Sequence, residues 1–173
     1  MENENIQNKL QGQIQSLQSG NKNAILSTLK ELRSKGNVSI LPEIFQLMLV
    51  QEDEQILGEL TAFLNDLKDK EAAEILVSAI ANPEYVRIQR TLVAACWQNG
   101  LSYGKYLGIF AEVLISADYE CAIEAFTVLE EAIGEVDQSV RDKLYTRLLS
   151  KLEEVDKLKK PLLTELVKSI KAY

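Results

Sequence analysis

Histidine is absent from all 173 residues. Its absence removes the commonest general base and the commonest metal ligand. With it goes the usual way of activating the Ser, Thr, Cys and Lys side chains that remain. No G-x-S-x-G elbow, P-loop or other glycine-rich phosphate loop occurs. The two cysteines, Cys96 and Cys121, make no zinc site without further ligands. Both fall at apolar positions within periodic segments and read as small core residues. A membrane span needs about 18–20 consecutive apolar residues, and no run approaches that length. The opening residues, Met1-Glu2-Asn3-Glu4-Asn5, are acidic and polar, the reverse of a secretory leader. These absences predict a cytoplasmic, non-enzymatic protein with no catalytic residues, no metal, no cofactor and no membrane partner.

What is present is charge and helical periodicity. Apolar residues make up 46% of the chain and charged residues 26%, the balance of a soluble globular protein. The formal net charge is −7, unevenly spread: from Arg141 onward there are nine Lys/Arg against five Asp/Glu, a net of +4, so residues 1–140 carry −11. An acidic chain of this kind does not offer its whole surface to nucleic acid or anionic lipid.

Almost every segment repeats its apolar residues at the helical period, and none alternates as a strand. The spacing predicts ten helices joined by short turns, with Ser19-Gly20, Gly36-Asn37 and Asn99-Gly100 as stops. Asn82 reads as an N-cap with Pro83 in the first helical position, and Ser139 with Asp142 has the spacing of a capping box. Gly104 and Gly108 would admit a neighbouring backbone. The helices form five pairs, over about 3–35, 39–67, 69–99, 102–134 and 137–172, within one domain, 1–173. An acidic or Asn-Pro turn followed by an apolar anchor recurs at Ile25, Ile56, Val86, Cys121 and Leu158, at intervals of 31, 30, 35 and 37 residues. A period in that range, built of helix pairs, predicts an all-α superhelix, or α-solenoid. Val86, Leu92, Cys96, Leu107, Phe110, Cys121, Leu129 and Ile133 are expected in its core, with Trp97 beside them.

The run Asn82-Pro83-Glu84-Tyr85-Val86-Arg87 resembles the turn and second helix of a HEAT repeat, within the wider group of armadillo-type helical repeats. Glu52-Asp53-Glu54-Gln55-Ile56-Leu57 and Ala117-Asp118-Tyr119-Glu120-Cys121-Ala122 keep the turn and the anchor but lack the Arg. The resemblance covers roughly residues 21–170 and implies about five HEAT-like hairpins whose second helices line a concave groove. It implies a binding role, without naming a partner. With Arg after only one of the five anchors, at Val86-Arg87, no continuous Asp–Arg ladder is expected.

Arg87 and Arg90 lie one turn apart on the second helix of the central pair. Neighbouring second helices bring Glu59 and Asp66 to one side and Glu120, Glu124 and Glu131 to the other. Two readings stand: an ion-pair cluster between repeats, or a cationic spot in an acidic groove that grips an anionic group of a ligand. The candidate partner-binding residues are Arg87, Arg90, Glu124 and Glu131. The expected function is a scaffold or adaptor for a protein or peptide, one with a Lys/Arg segment to suit the acidic surface. The alternative is a nucleic-acid-associated protein using the basic C-terminal edge of Lys157, Lys159, Lys160, Lys168 and Lys171.

Overall fold

Short polar turns decide where the helices of this chain begin. In the computed structural model, which describes residues 2–35 and 37–173, the carboxylate or amide oxygen of a turn residue accepts the first free N–H groups of the helix that follows. Asn21 accepts from Ala24 N, Asp53 from Gln55 and Ile56 N, Asn82 from Glu84 N and Asp118 from Cys121 N, at 2.8–3.2 Å. Gly20 and Gly100 both have φ of +69°, a left-handed conformation that ends the preceding segment at little steric cost only for glycine. Gly36, expected to stop the second helix, lies outside the described residues.

Ten α-helices result among the described residues: α1 (Glu2–Gln18), α2 (Lys22–Lys35), α3 (Leu41–Val50), α4 (Glu54–Asn65), α5 (Glu71–Ile80), α6 (Gln89–Gln98), α7 (Leu107–Ser116), α8 (Tyr119–Ala132), α9 (Gln138–Lys151) and α10 (Lys160–Lys171). There is no strand among the described residues. Each odd-numbered helix packs on the next even-numbered one. The even-numbered helices also pack in chain order, α2 on α4, α4 on α6, α6 on α8 and α8 on α10. On the other side α1 packs on α3, α3 on the segment leading into α6, and α7 on α9. One buried apolar cluster runs through these contacts from Leu17 to Ile170.

Several local expectations need correction. Val86 is 64% exposed. Pro83–Ile88 is a 3-10 turn, and the α-helix starts only at Gln89. With three residues per turn the phase slips. Tyr85 and Ile88 turn inward instead, Tyr85 meeting Phe45 edge-on at 5.6 Å between ring centres. Leu158 is likewise exposed, because residues 152–159 form turns and the next residue, Lys159, takes the inward position. The capping box at Ser139 does not form: α9 begins one residue earlier, after Asp137, and Asp142 accepts from the Gln138 side chain at 2.9 Å. A 3-10 turn, Gly104–Tyr106, precedes α7. At Gly104 the close neighbour is the Val136 side chain, 2.8 Å from where a Cβ would stand, and not a backbone; Gly108 has no such close approach.

The remaining expected core residues are buried. Phe110 is fully enclosed and meets Tyr103 edge-on at 5.6 Å. Phe110→Ala should therefore cost about 3–5 kcal/mol in reversible denaturation, whereas Val86→Ala should change stability by no more than about 0.5 kcal/mol. Equal losses at the two sites would contradict the 3-10 register.

Asp53 links two successive hairpins as well as capping α4. Its Oδ2 receives the Lys22 ammonium at 2.7 Å while Oδ1 holds the cap. The Lys22 bond first, and then the Ile56 N–H, hold this carboxyl below its ordinary value of 3.8. A depressed folded-state value means that the ionised form stabilises the fold. That stabilisation is complete above 3.8 and is lost as pH falls through the lower folded-state value. Thermal melts should show Asp53→Ala less stable than the parent at neutral pH, with the difference shrinking as the pH drops below 3.8.

Candidate partner-binding surface

The candidate residues sit on α6 and α8 and on the 3-10 turn ahead of α6. Arg90, in the first turn of α6, reaches across to α8, where its guanidinium pairs with Glu120 and its Nε lies 3.8 Å from Glu124 Oε1. The other oxygen of Glu124 accepts the Trp97 indole N–H at 2.9 Å. Trp97 is thus half-buried, with its ring against the core and its polar edge on this carboxylate. Arg90, Glu120, Glu124 and Trp97 form one clasp between two even-numbered helices.

Arg87 and Glu131 stand apart from it. Both are exposed, and neither makes an ion pair with a described residue. Glu59 and Asp66 also belong elsewhere. Arg33 on α2 holds Asp66 through Nη2 and Nε at 2.6 and 2.8 Å, and Glu59 through Nη1 at 3.2 Å. The structure therefore brings Arg90 and Glu124 together and leaves Arg87 and Glu131 facing solvent. The clasp is partly shielded, with the Glu124 side chain 18% exposed. Losing an acceptor that holds an indole N–H costs more than losing a solvated surface pair.

The basic C-terminal stretch is mostly engaged within the fold. Lys159 is 6% exposed, and its ammonium donates to the carbonyl oxygens of Ile115 and Ala117, the latter at 2.8 Å. It thereby satisfies the free C-terminal carbonyls of α7 from a distant segment. Lys160 pairs with Glu153 at 2.8 Å, Lys168 with Glu165 at 3.4 Å, and the Lys171 ammonium lies 5.2 Å from the centre of the Tyr145 ring. Lys157 is exposed. The role of Lys159 was hidden in the sequence because a lysine in a basic run reads as solvated. The one signal was its position three residues after Asp156, where the other turns carry an inward-facing residue.

Burial pushes the Cys96 thiol up to about 12 and the Cys121 thiol up to about 11, the latter helped by the Asp118 and Glu124 carboxylates. Both stay protonated at neutral pH and are poor nucleophiles. Burial first, and then Cys96, also raise Tyr103 above its ordinary range. Its hydroxyl accepts from the Asn99 amide at 2.9 Å, and Asn99 is itself 1% exposed. No group of three or more His, Cys, Asp or Glu side chains suited to a metal ion occurs among the described residues. No helix among them is long and apolar enough to cross a membrane. No protein-family model matches the chain, and no curated protein matches it in sequence.

Replacing Lys159 by Met would leave two part-buried carbonyls at the α7 end, those of Ile115 and Ala117, without this donor. Lys159→Met should destabilise by about 1–3 kcal/mol in urea titration, and Lys157→Met by no more than about 0.5 kcal/mol. A neutral Lys159→Met would remove the capping role.

Proposed function

We propose that the chain is an α-solenoid of five HEAT-like hairpins and serves as a non-enzymatic scaffold that binds a protein or peptide along its even-numbered helices. One observation carries the reading: α2, α4, α6, α8 and α10 pack in chain order, so their outward sides adjoin one another along the whole length. In a stack of this kind each hairpin touches its neighbours and the repeated faces add up to one extended surface. Such a surface suits an elongated partner. The polar contacts that join successive hairpins, such as Arg33 with Asp66 and Arg90 with Glu120, stiffen it without closing it.

The partner proposed is a segment rich in Lys or Arg. The chain carries 26 acidic against 19 basic residues, and Glu131 is an exposed carboxylate on this face that makes no ion pair with a described residue. Arg87 is the opposing charge that limits which segments fit. Charges at the rim of an interface act on encounter and selectivity more than on folding. Arg90 and Glu124 serve this surface by fixing α6 against α8, and Arg87 and Glu131 by meeting the ligand.

A fluorescein-labelled lysine-rich peptide titrated by anisotropy tests the reading. Glu131→Lys should weaken its binding by about threefold to tenfold and Arg87→Glu should strengthen it by a similar factor. Both variants should keep the parent melting temperature, since neither side chain is paired. Binding that responds to neither substitution would remove this face as the docking surface.

A further inference from the structure

The acidic surface is interrupted by a region of the opposite sign. Lys68 and Lys70 come from the turn between α4 and α5, and Lys105 from the 3-10 turn ahead of α7. With Ala73, Leu101 and Tyr106 they line a groove of about 590 Å³ in which no lining residue is acidic. That volume lies in the range of ligand-binding clefts, about 300–1,000 Å³.

One wall of the groove is fixed. The Lys68 ammonium donates to the Asn99 carbonyl oxygen at 2.9 Å, and the buried Asn99 side chain is held at both ends, donating to the Tyr103 hydroxyl and accepting from Leu101 N. Lys70 and Lys105 are different: both are exposed, and neither makes an ion pair with a described residue. The nearby carboxylates, Asp69, Glu71 and Glu135, lie outside the walls of the groove. Asp69 accepts from Glu71 N at 3.0 Å, and Glu135 accepts from the Ser102 hydroxyl at 2.7 Å. Three like charges therefore face one groove with nothing of opposite sign among its walls. In a chain with more acids than bases, that arrangement calls for an anion.

The walls also say which kind. Phosphate sites draw on free backbone N–H groups at a helix start or on the forked guanidinium of Arg. Here no Arg lines the groove, and the N–H groups at the start of α5 are taken by Asp69 and Lys70, with Glu71 adding negative charge. What remains is ammonium groups on flexible stems beside an apolar strip of Ala73, Leu101 and Tyr106. Solvated ammoniums hold any single group weakly, so the ligand needs several carboxylates spread along an apolar contact.

We infer that this groove docks an acidic segment of a partner protein. Its carboxylates would meet Lys68, Lys70 and Lys105, and an aliphatic or aromatic side chain would lie on Leu101 and Tyr106. The site is separate in position and sign from the face of the even-numbered helices, and stands whether or not that face binds.

A phage-displayed library of random peptides, selected on the folded chain and counter-selected on the double variant Lys70→Glu/Lys105→Glu, tests the assignment. Because neither lysine is paired, the double variant should keep the parent melting temperature. Lys68 is left unchanged because it holds the Asn99 carbonyl. The enriched peptides should carry an acidic excess with at least one large apolar residue. A fluorescein-labelled copy of the leading peptide should bind the double variant at least about tenfold more weakly, lose affinity with added salt, and bind Glu131→Lys like the parent. Enriched peptides without acidic excess, or equal affinity for the double variant, would overturn the proposal. Tripolyphosphate or a single-stranded oligonucleotide binding more tightly than the peptide, and in a Lys70- and Lys105-dependent manner, would overturn it in favour of a phosphate ligand.

Discussion

The helices α4, α6 and α8 each have to be apolar on more than one flank, because each touches an even-numbered helix on both sides as well as the odd-numbered helix of its own pair. α8 meets the requirement with small residues: Ala122, Ala125 and Ala132 are buried beside Cys121, Val128 and Leu129. Small side chains bring α6 and α7 close enough to exclude water without overpacking. Little of such a helix is left for polar groups, and its charges are confined to a narrow outward strip.

That confinement explains the spacing of the polar contacts. Lys22 with Asp53, Arg33 with Asp66, Asn65 with Gln98, Lys68 with the Asn99 carbonyl, Arg90 with Glu120 and Ser102 with Glu135 join residues 31, 33, 33, 31, 30 and 33 positions apart. Each links one hairpin to the next. A solvated pair adds little stability by itself. A series confined to offsets of 30–33 favours a single alignment of neighbouring hairpins over a slipped one, which the apolar stripe, being non-directional, does not do alone. No Asp–Arg ladder is required, and different residue types fill the same role from turn to turn.

The helices and most of the core were legible because they rest on local rules. Ile25, Ile56 and Cys121 lie three or four residues after a capping Asn or Asp, and all three are buried. The same rule misled at Val86, since Pro83 opens a tight 3-10 turn that changes the phase, and at Leu158, since the inward position there belongs to a lysine whose partner lies 42 residues away. At the candidate surface, the nearness of Arg90 to Glu120 and Glu124 followed from the repeat spacing. That Glu59 and Asp66 belong to Arg33 did not, because the choice among cations depends on which side chain is one hairpin away on the correct strip. The lysine-lined groove had no sequence signal: Lys68 and Lys70 are ordinary turn residues until the next turn sets Lys105 beside them.

Lys159 gives the chain a polarity of its own. Its ammonium fastens the last hairpin to the carbonyl end of α7, reaching back past α8 and α9. The first helix is joined to the rest by more exposed contacts, among them Gln18 with Glu43, the Ser16 hydroxyl with Thr28 and the solvated Lys9–Glu31 ion pair at 2.8 Å. The two ends are thus unequally latched. Opening events that start at the termini therefore meet a buried polar latch at the α10 end and only more exposed ones at α1.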